Sequence, residues 1–343
     1  MLAARDRPTG FPTEESTLKA HKTDVIVACF GMGESFAGDK GLANFKAQLA
    51  SLLKSHAGKK YNGHSDVRLI LVSPIACEDL GKLTPTLKKR NQELKAYTQA
   101  MRDVATSANI PFVDLFEASR YLMDESVGPQ LTTNGIHLNA YGYWALSQAF
   151  FKQLVTEDQF PASVSWLLRV DASSLSSDSR GVEISNVTAS DSGLSFQVAE
   201  KSPPNLPPPT DSQLPPQLGM ARDRLIVDNL APGRYELTID GVPVITADDR
   251  GWADGVPIDR SPVHKSAEEY RAMVNDKNLQ FTYSWKALNQ VHIVGERKQS
   301  PSGRALPAEI IEFNQLAEDL EKVLRKGLQL KTRNWRIDRL PSS

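Results

Sequence analysis

The sequence predicts an α/β protein built on a parallel sheet, with a smaller β-rich module attached to it. Two apolar runs of strand length, at 24–30 and 67–73, alternate with amphipathic helical patterns at 41–55 and 87–108. Strands that alternate with helices of this length favour a parallel sheet with right-handed crossovers. Beyond about residue 160, short serine-rich strand patterns replace this alternation and indicate a second structural part.

Each element of the first part follows from its local pattern. The runs DVIVACF and VRLILVS are continuously apolar and end at Gly31 and Pro74, as buried parallel strands do. A short strand at 111–115 and a helix at about 140–155 complete a β-α-β-α-β-α order. In the first two helices, apolar residues recur every three or four positions and form one face: Leu42, Phe45, Leu49 and Leu52, and then Leu94, Tyr97, Met101, Val104 and Ala108.

The second part is predicted to be a small antiparallel β module at 161–260. It contains a proline-rich loop at 201–218, in polyproline conformation. Residues 224–240 alternate as strands about a Pro232-Gly233 turn, which is typical of a hairpin, and end at an Asp240-Gly241 turn.

The C-terminal residues 261–343 are predicted to be mainly helical. Helical patterns occur at 266–275 and 312–326, and the second places Leu316, Leu320, Val323 and Leu324 on one face. Since such a face needs an apolar partner, we expect this segment to pack back on the α/β domain at 1–160.

Composition restricts the possible partners. The 343 residues include 40 Lys and Arg against 41 Asp and Glu, for a net charge of -1. A balanced chain has no overall field that would recruit nucleic acid or an anionic membrane. No apolar run approaches the roughly 20 residues that span a bilayer, and residues 1–16 lack the apolar core of a signal peptide. We expect a soluble protein, without a nucleic-acid partner or transmembrane segment, and its compartment stays open.

Metal ions and cofactors are not expected. Cys29 and Cys77 are the only cysteines, each at or near the end of an apolar run, which favours buried thiols over a disulfide or a zinc site. His21, His56 and His64 lack the spacing of metal ligands. The segment GMGESF lacks the third glycine and the Lys-Ser/Thr pair of phosphate loops.

Three loops are predicted to meet at one edge of the sheet. Ligands of open α/β sheets bind outside the carboxyl ends of the strands, where residues 31–35, residues 75–79 and the His137 loop each follow a strand. His137 leaves an Asn134-Gly135 turn, and Asn139 is placed to cap the next helix. A histidine held by backbone on both sides suits a general base. The alternative is a histidine that only hydrogen-bonds its own loop.

The segments ACFGMGESFAG, at 28–38, and LTTNGIHLNAYGYW, at 131–144, resemble two motifs of the SGNH or GDSL-type ester hydrolases. The first is similar to G-x-N-[DE], whose glycine backbone and asparagine help to build an oxyanion hole. The second is similar to the last motif, where D-x-x-H supplies the acid and base of a Ser-His-Asp triad. The resemblance covers roughly residues 10–155 and implies a flavodoxin-like SGNH core. It also implies site residues: His137 and Asn134 as catalytic, and Gly31, Gly33 and Glu34 at the oxyanion and substrate.

Two substitutions within these motifs bear on activity. Asn134 stands at the position of the triad Asp and carries no charge to stabilise an imidazolium, so the hypothesis is that a rim carboxylate, from Glu34, Glu78 or Asp79, does so. Solvated surface carboxylates are the alternative. Gly33 replaces the oxyanion asparagine, and it offers a backbone N–H there or simply lets the chain turn.

The nucleophile is the third departure, and it is unknown. No G-D-S motif lies upstream of Asp24, and Ser35 belongs to the turn after the first motif, where relatives do not place the nucleophile. The resemblance therefore predicts that the chain starts late, without the N-terminal strands of the core. A sheet that lacks those strands would expose an apolar edge. If the N-terminus is missing, secretion or a periplasmic location stays open.

Two functions from different classes follow. The first is an SGNH-type hydrolase of acyl esters, with a small-molecule or carbohydrate ester as substrate. The second is a catalytically inactive relative that binds carbohydrate or another partner. Trp252, Tyr283 and Trp285 are candidates for sugar stacking, with burial in the core as the alternative.

Overall fold

The computed structural model describes residues 12–124, 128–154, 165–190, 192–209, 222–287 and 295–341. The chain divides into two units, Met1–Thr156 with Pro208–Pro215, and Glu157–Pro207 with Pro216–Ser343. Across these described ranges, no helix is long and apolar enough to cross a membrane.

The first unit has the predicted alternation of strands and helices. Its strands β1, β2 and β3 form a parallel sheet in that order, which confirms the predicted parallel α/β core. Single 3-10 turns follow β1 and β2, at Glu34–Ala37 and Gly81–Leu83. The elements are α1 (Glu14–Ala20), β1 (Val25–Cys29), α2 (Asp39–His56), β2 (Arg68–Val72), α3 (Leu87–Ala108), β3 (Phe112–Val113), α4 (Leu115–Leu122) and α5 (Ala140–Leu154).

The core of this unit lies between the sheet and the apolar faces of α2 and α3. Its buried side chains include Ala28, Phe45, Leu49, Leu53, Leu71, Tyr97 and Met101. β1 is the edge strand of the described sheet, and its Val27 is 47% exposed. Cys77 is buried as predicted, whereas Cys29, on the same side of β1 as Val27, is exposed. The expectation of two buried thiols is therefore corrected for Cys29.

The predicted strand at 111–115 is shorter than expected because a helix begins inside it. Asp114 is the N-cap of α4, and its Oδ1 accepts the Glu117 N–H at 2.9 Å. An Asp at the N-cap satisfies one of the four unpaired N–H groups of a first helical turn. The sequence PFVDLFE therefore contains both the end of a strand and a helix start.

The second unit is a β-sandwich followed by two long helices and a last strand. One sheet has the order β10-β9-β12-β7-β6 and the other β11-β8-β4-β5. Buried side chains of both sheets, such as Leu168, Phe196, Leu237 and Trp335, form one core. The elements are β4 (Leu167–Asp171), β5 (Ser177–Arg180), β6 (Val182–Ser190), β7 (Gly193–Glu200), β8 (Arg224–Asp228), β9 (Arg234–Ile239), β10 (Val242–Asp248), α6 (Asp249–Asp254), β11 (Val256–Pro257), α7 (Pro262–Ala287), α8 (Pro301–Leu324) and β12 (Thr332–Arg339).

The predicted hairpin at 224–240 is wrong, although both of its strands exist. β8 pairs in parallel with β4 in one sheet, whereas β9 pairs with β10 and β12 in the other. The Pro232-Gly233 segment therefore carries the chain from one sheet to the other. The Asp240-Gly241 turn does close a hairpin, β9–β10, with φ of 51° and 79° as a two-residue turn with both φ positive requires.

The C-terminal residues contribute a strand that the sequence did not predict. β12 lies between β9 and β7 in the five-stranded sheet, so residues 261–343 are part of the second unit. Glu200, on β7, secures this strand by accepting the Lys331 N–H at 2.8 Å and the Arg333 Nε–H at 2.5 Å. Of the proline-rich loop, 201–209 contains no helix or strand, and 210–218 lies outside the described residues.

Candidate active site

Three loops meet on one apolar cluster beyond the carboxyl ends of the strands. Met32, from the loop after β1, and Ile136, from the loop before α5, both pack against the cluster of Ala76, Cys77, Leu94 and Phe116. Ala76 and Cys77 belong to the loop after β2. The glycine turn at 31–33 and the His137 loop therefore lie at the same end of the sheet, as their order in the sequence predicted.

The His137 loop is a tight backbone hairpin. The Thr133 N–H donates to the His137 carbonyl at 2.9 Å, and the Asn139 N–H donates to the Leu131 carbonyl at 2.8 Å. The Asn139 side chain then caps α5, because its Oδ1 accepts the Gly142 N–H at 2.8 Å. These backbone hydrogen bonds hold the chain on both sides of His137, and His137 itself is exposed.

Asn134 fixes the orientation of the His137 ring. Its Oδ1 accepts the backbone N–H groups of Ile136, at 3.3 Å, and His137, at 3.0 Å. The same side-chain amide lies against the ring: Nδ1 of His137 is 3.0 Å from Oδ1 and 2.9 Å from Nδ2. When Nδ1–H donates to Oδ1, the lone pair of Nε2 is open, which is the tautomer that a general base needs.

Glu78 anchors the backbone of this loop. Its buried carboxylate accepts the Leu131 and Thr132 N–H groups, both at 2.7 Å, and the Thr132 hydroxyl at 2.5 Å. In return, the Glu78 N–H donates to the Gly135 carbonyl at 2.9 Å. The Thr132 hydroxyl also accepts the Gly135 N–H at 3.0 Å. Sequence reasoning placed Glu78 at this rim but did not reveal its partners.

The other two rim carboxylates also bond backbone N–H groups. Glu34 accepts the Gly31 N–H at 3.0 Å, and Asp79 accepts the Gly81 N–H at 2.8 Å. The hydrogen-bonded partner of the His137 Nδ1 is Asn134. Both oxygens of Glu78 are bonded to Leu131 and Thr132. Glu78 therefore does not take the place of the triad Asp at the ring, which corrects that hypothesis for this residue.

The glycine turn presents backbone N–H groups at this edge. Gly31 has a φ of 98°, and a Cβ there would lie 3.1 Å from the Pro74 Cδ, so glycine is required. In the described part of the chain, the N–H groups of Met32 and Gly33 have no hydrogen-bond acceptor. Two adjacent N–H groups of this kind are suitable donors for an oxyanion. A Cβ at Gly33 would meet nothing within 4 Å, so the absent side chain leaves open space.

Arg90, on α3, holds this turn in place. Its Nη2 donates to the Met32 carbonyl and to the Ser35 Oγ, both at 2.6 Å, and its guanidinium lies 3.7 Å from the Phe36 ring centroid. The Ser35 hydroxyl donates to the Met32 carbonyl at 2.8 Å, and the residue is 0% exposed. Ser35 is therefore a structural residue of the turn and not the nucleophile. The pattern KKRNQ gave no sign of this role for Arg90.

Comparison with known families agrees with this geometry. Residues 3–145 match the model of the GDSL-like Lipase/Acylhydrolase family. The match confirms the resemblance to this family that the two sequence motifs indicated. No curated protein sequence matches the chain.

Solved structures extend the likeness to most of the chain. A structure described as "BT4096 a gut microbial diltiazem-metabolizing enzyme" is similar over 92% of this chain and 84% of its own, with 16% identity and a TM-score of 0.63. This likeness shows the fold. Axe2, an acetylxylan esterase from Geobacillus stearothermophilus, matches over 40% of this chain and 63% of its own, at 19% identity and a TM-score of 0.30.

Outside the first unit, a Ser-His-Asp arrangement lies in the β-sandwich unit. Nδ1 of His264 is 2.7 Å from the Ser261 Oγ, and its Nε2 is 3.0 Å from the Asp223 Oδ2. All three residues are buried, and Asp223 also accepts the Trp166 and Asn205 N–H groups, at 2.7 and 2.9 Å. This arrangement joins the start of α7 to the strands and has no exposed hydroxyl for a substrate.

The predicted sugar-stacking aromatics of this second unit separate into two kinds. Trp252 is fully buried in the sandwich core, which excludes it from ligand stacking. Tyr283 and Trp285 are exposed on α7, where Tyr283 packs against Phe313 and Trp285 stacks on Phe281. Among the described residues, no group of three or more His, Cys, Asp or Glu could hold a metal ion.

Proposed function

We propose that this protein hydrolyses carboxylic esters with His137 as the general base. The observation that carries the proposal is the His137 ring, exposed, oriented through Nδ1 by Asn134 and set at the same end of the sheet as the glycine turn. The match of residues 3–145 to the family model supports the reaction class.

Each half of the site has its own role in the proposed reaction. Nε2 of His137 removes the proton of a nucleophilic hydroxyl as it attacks the acyl carbonyl, and later returns that proton to the leaving alcohol. The N–H groups of Met32 and Gly33 stabilise the developing oxyanion. Asn134 holds the ring by accepting from Nδ1, but it supplies no charge to the imidazolium. In serine proteases, exchanging the triad Asp for Asn lowers kcat by about 10⁴.

Activity on p-nitrophenyl acetate tests the role of His137. We expect the wild-type protein to hydrolyse the ester, and His137→Ala to remove nearly all turnover while its melting temperature stays unchanged. His64→Ala is the matched control, because His64 is also an exposed loop histidine. Equal turnover in His137→Ala and the wild type would remove His137 from the mechanism.

A fluorophosphonate probe followed by peptide mass spectrometry tests for the nucleophile. Covalent labelling of a serine that disappears in His137→Ala supports an ester hydrolase and identifies the hydroxyl. No labelling would favour the second candidate, a non-catalytic binding protein. Two observations favour that candidate: Ser35 is buried, and no hydroxyl of the described residues hydrogen-bonds Nε2 of His137.

For the substrate we propose an acyl ester of a carbohydrate. The support is the pair of exposed aromatic side chains on α7, Tyr283 and Trp285, since aromatic faces with a polar handle are suited to amphipathic ligands. Turnover of an acetylated oligosaccharide should exceed that of p-nitrophenyl acetate. In titration calorimetry, Trp285→Ala should weaken the binding of the same oligosaccharide to the second unit. Equal affinities of Trp285→Ala and the wild type would contradict this choice of substrate.

A further inference from the structure

We propose that Asn134 is a site of intramolecular deamidation, which converts it to aspartate beside His137. Asparagine is one of the thermolabile residues, and the reaction needs attack of the next backbone nitrogen on the side-chain Cγ. Asn134 is exposed, and the following residue, Gly135, has no Cβ to hinder that attack. Three groups surround this amide, and each of them promotes one part of the reaction.

The first group is an acceptor for the proton of the attacking nitrogen. The Gly135 N–H donates to the Thr132 Oγ1 at 3.0 Å, and the Thr132 hydroxyl donates in turn to the Glu78 Oε2 at 2.5 Å. Both side chains are buried, so the relay from Gly135 to the carboxylate is shielded from water. A hydroxyl bonded to a carboxylate is a far better proton acceptor than a peptide carbonyl, because its own proton can move to the carboxylate.

The second and third groups act on the amide itself. Oδ1 of Asn134 accepts the N–H groups of Ile136 and His137, so the negative charge that builds on this oxygen during attack is already met by two donors. Nδ2 lies 2.9 Å from the Nδ1 of His137, and a protonated imidazole there delivers a proton to the departing nitrogen.

The reaction is balanced with water as the only co-reactant. The Gly135 N forms a bond to the Asn134 Cγ, and its proton passes through Thr132 to the Glu78 carboxylate. The Cγ–Nδ2 bond breaks, and ammonia leaves with a proton from the His137 imidazolium. Exchange with solvent then returns the Glu78 proton and restores the imidazolium. The resulting five-membered succinimide is opened by a water molecule from solvent, which gives aspartate or isoaspartate. No oxidant or reductant takes part.

A matched site without the relay lies in the same chain. Asn62-Gly63 is the other Asn-Gly pair, and Asn62 adopts the same kind of turn, since its Oδ1 accepts the His64 and Ser65 N–H groups at 2.9 Å. Gly63 has a φ of 88°, close to the 91° of Gly135. Its N–H, however, donates to the Lys60 carbonyl at 3.1 Å, and this peptide oxygen is a poor proton acceptor.

The product places a carboxylate where the ring needs one. An aspartate at this position would accept the Nδ1–H of His137 and carry the negative charge that stabilises an imidazolium. The site would then have the D-x-x-H pattern with its charge. The modification does not depend on the proposed function, whereas its effect on hydrolysis does.

The experiment follows the two asparagines in one sample. The purified protein is incubated at neutral pH in ¹⁸O-water, and aliquots are digested at low pH in ordinary water. Mass spectrometry then measures the replacement of NH₂ by ¹⁸O-labelled OH at Asn134 and Asn62, and fragmentation distinguishes aspartate from isoaspartate. We expect conversion at Asn134 to be roughly 10²-fold faster than at Asn62, at the lower end of general acid–base catalysis.

Variants at Thr132 show whether the relay is responsible. Thr132→Val removes the hydroxyl and should lower the Asn134 rate towards the Asn62 rate, whereas Thr132→Ser should keep the full difference. The Asn62 rate, unchanged in all three proteins, reports that each one is folded. Equal rates at the two sites in the wild type, or an undiminished difference in Thr132→Val, would overturn the proposal. Ester hydrolysis enters none of these measurements, so they stand whether or not the protein is an esterase.

Discussion

Replacing Glu78 by glutamine is the sharpest test of how the His137 loop is held. The carboxylate accepts three hydrogen bonds, from two backbone N–H groups and one hydroxyl. A glutamine oxygen takes the place of one carboxylate oxygen, but its NH₂ group faces donors at the other position. At least one charge-assisted bond, worth about 1.5–3 kcal/mol, is lost, and a buried N–H left unpaired costs about 1–3 kcal/mol more. We therefore expect Glu78→Gln to lower the free energy of unfolding by roughly 3–5 kcal/mol.

Urea denaturation measures this loss, and amide hydrogen exchange locates it. Exchange should accelerate most at Leu131 and Thr132, and next at Thr133, whose N–H closes the hairpin on His137. Glu117→Gln is the matched control, because Glu117 is a partly exposed glutamate that bonds Arg120 on its own helix. An exposed pair of this kind contributes about 0–1 kcal/mol.

The comparison has a clear refuting result. If Glu78→Gln unfolds at the same urea concentration as Glu117→Gln, and the exchange of Leu131 and Thr132 is unchanged, the carboxylate does not anchor the loop. If the protein hydrolyses esters, Glu78→Gln should also lower kcat more than it changes KM, since it acts through the position of His137. A change in KM alone would place Glu78 in substrate binding instead.

Three further predictions concern neighbouring positions. Gly33→Asn should raise kcat by up to about 10²-fold if the position faces the oxyanion, because a side chain there enters open space; unchanged kcat would leave Gly33 a backbone role only. Gly142→Ala should lower the free energy of unfolding by roughly 1–3 kcal/mol in urea denaturation, because its Cβ would overlap the Leu131 carbonyl oxygen; an unchanged midpoint would contradict this contact. Burial raises the pKa of the Cys77 thiol, so a smaller fraction of it is thiolate at mildly alkaline pH. Alkylation of Cys77 by iodoacetamide should therefore be much slower in the folded protein than in the urea-unfolded protein. Equal rates would show that the thiol is accessible.

The sequence predicted those parts of the fold that depend on local pattern. The helix at 87–108 and the parallel order of the first three strands follow from apolar periodicity and alternation. Pairing in the second unit could not be derived in this way. β8 and β9 each have a strand pattern and are separated by a turn sequence, but their partners, β4 and β12, are distant in the chain. Turn residues define where a chain changes direction. Which sheet the next strand joins depends on how the side chains of both sheets pack in their common core.

The same distinction applies to the site. His137, Asn134 and Asn139 could be assigned from the sequence because their partners lie within a few residues of each other. Glu78 is 53 residues from Leu131, and Arg90 is 55 residues from Ser35, so neither partnership leaves a local signal. For Arg90 the helical spacing gave only its place on α3.

Two buried charges of opposite sign hold the two halves of this site. Glu78 binds the backbone of the His137 loop, and Arg90 binds the carbonyl of the glycine turn. A buried charged group whose hydrogen bonds are all made holds its partners in one geometry, because any shift leaves the charge or a partner without a hydrogen bond. The residue at 134 is exposed, and its Oδ1 accepts two backbone N–H groups of its own turn, which an aspartate oxygen would accept equally well. Asn134→Asp should alter the charge beside the imidazole and leave the geometry of the site as it is.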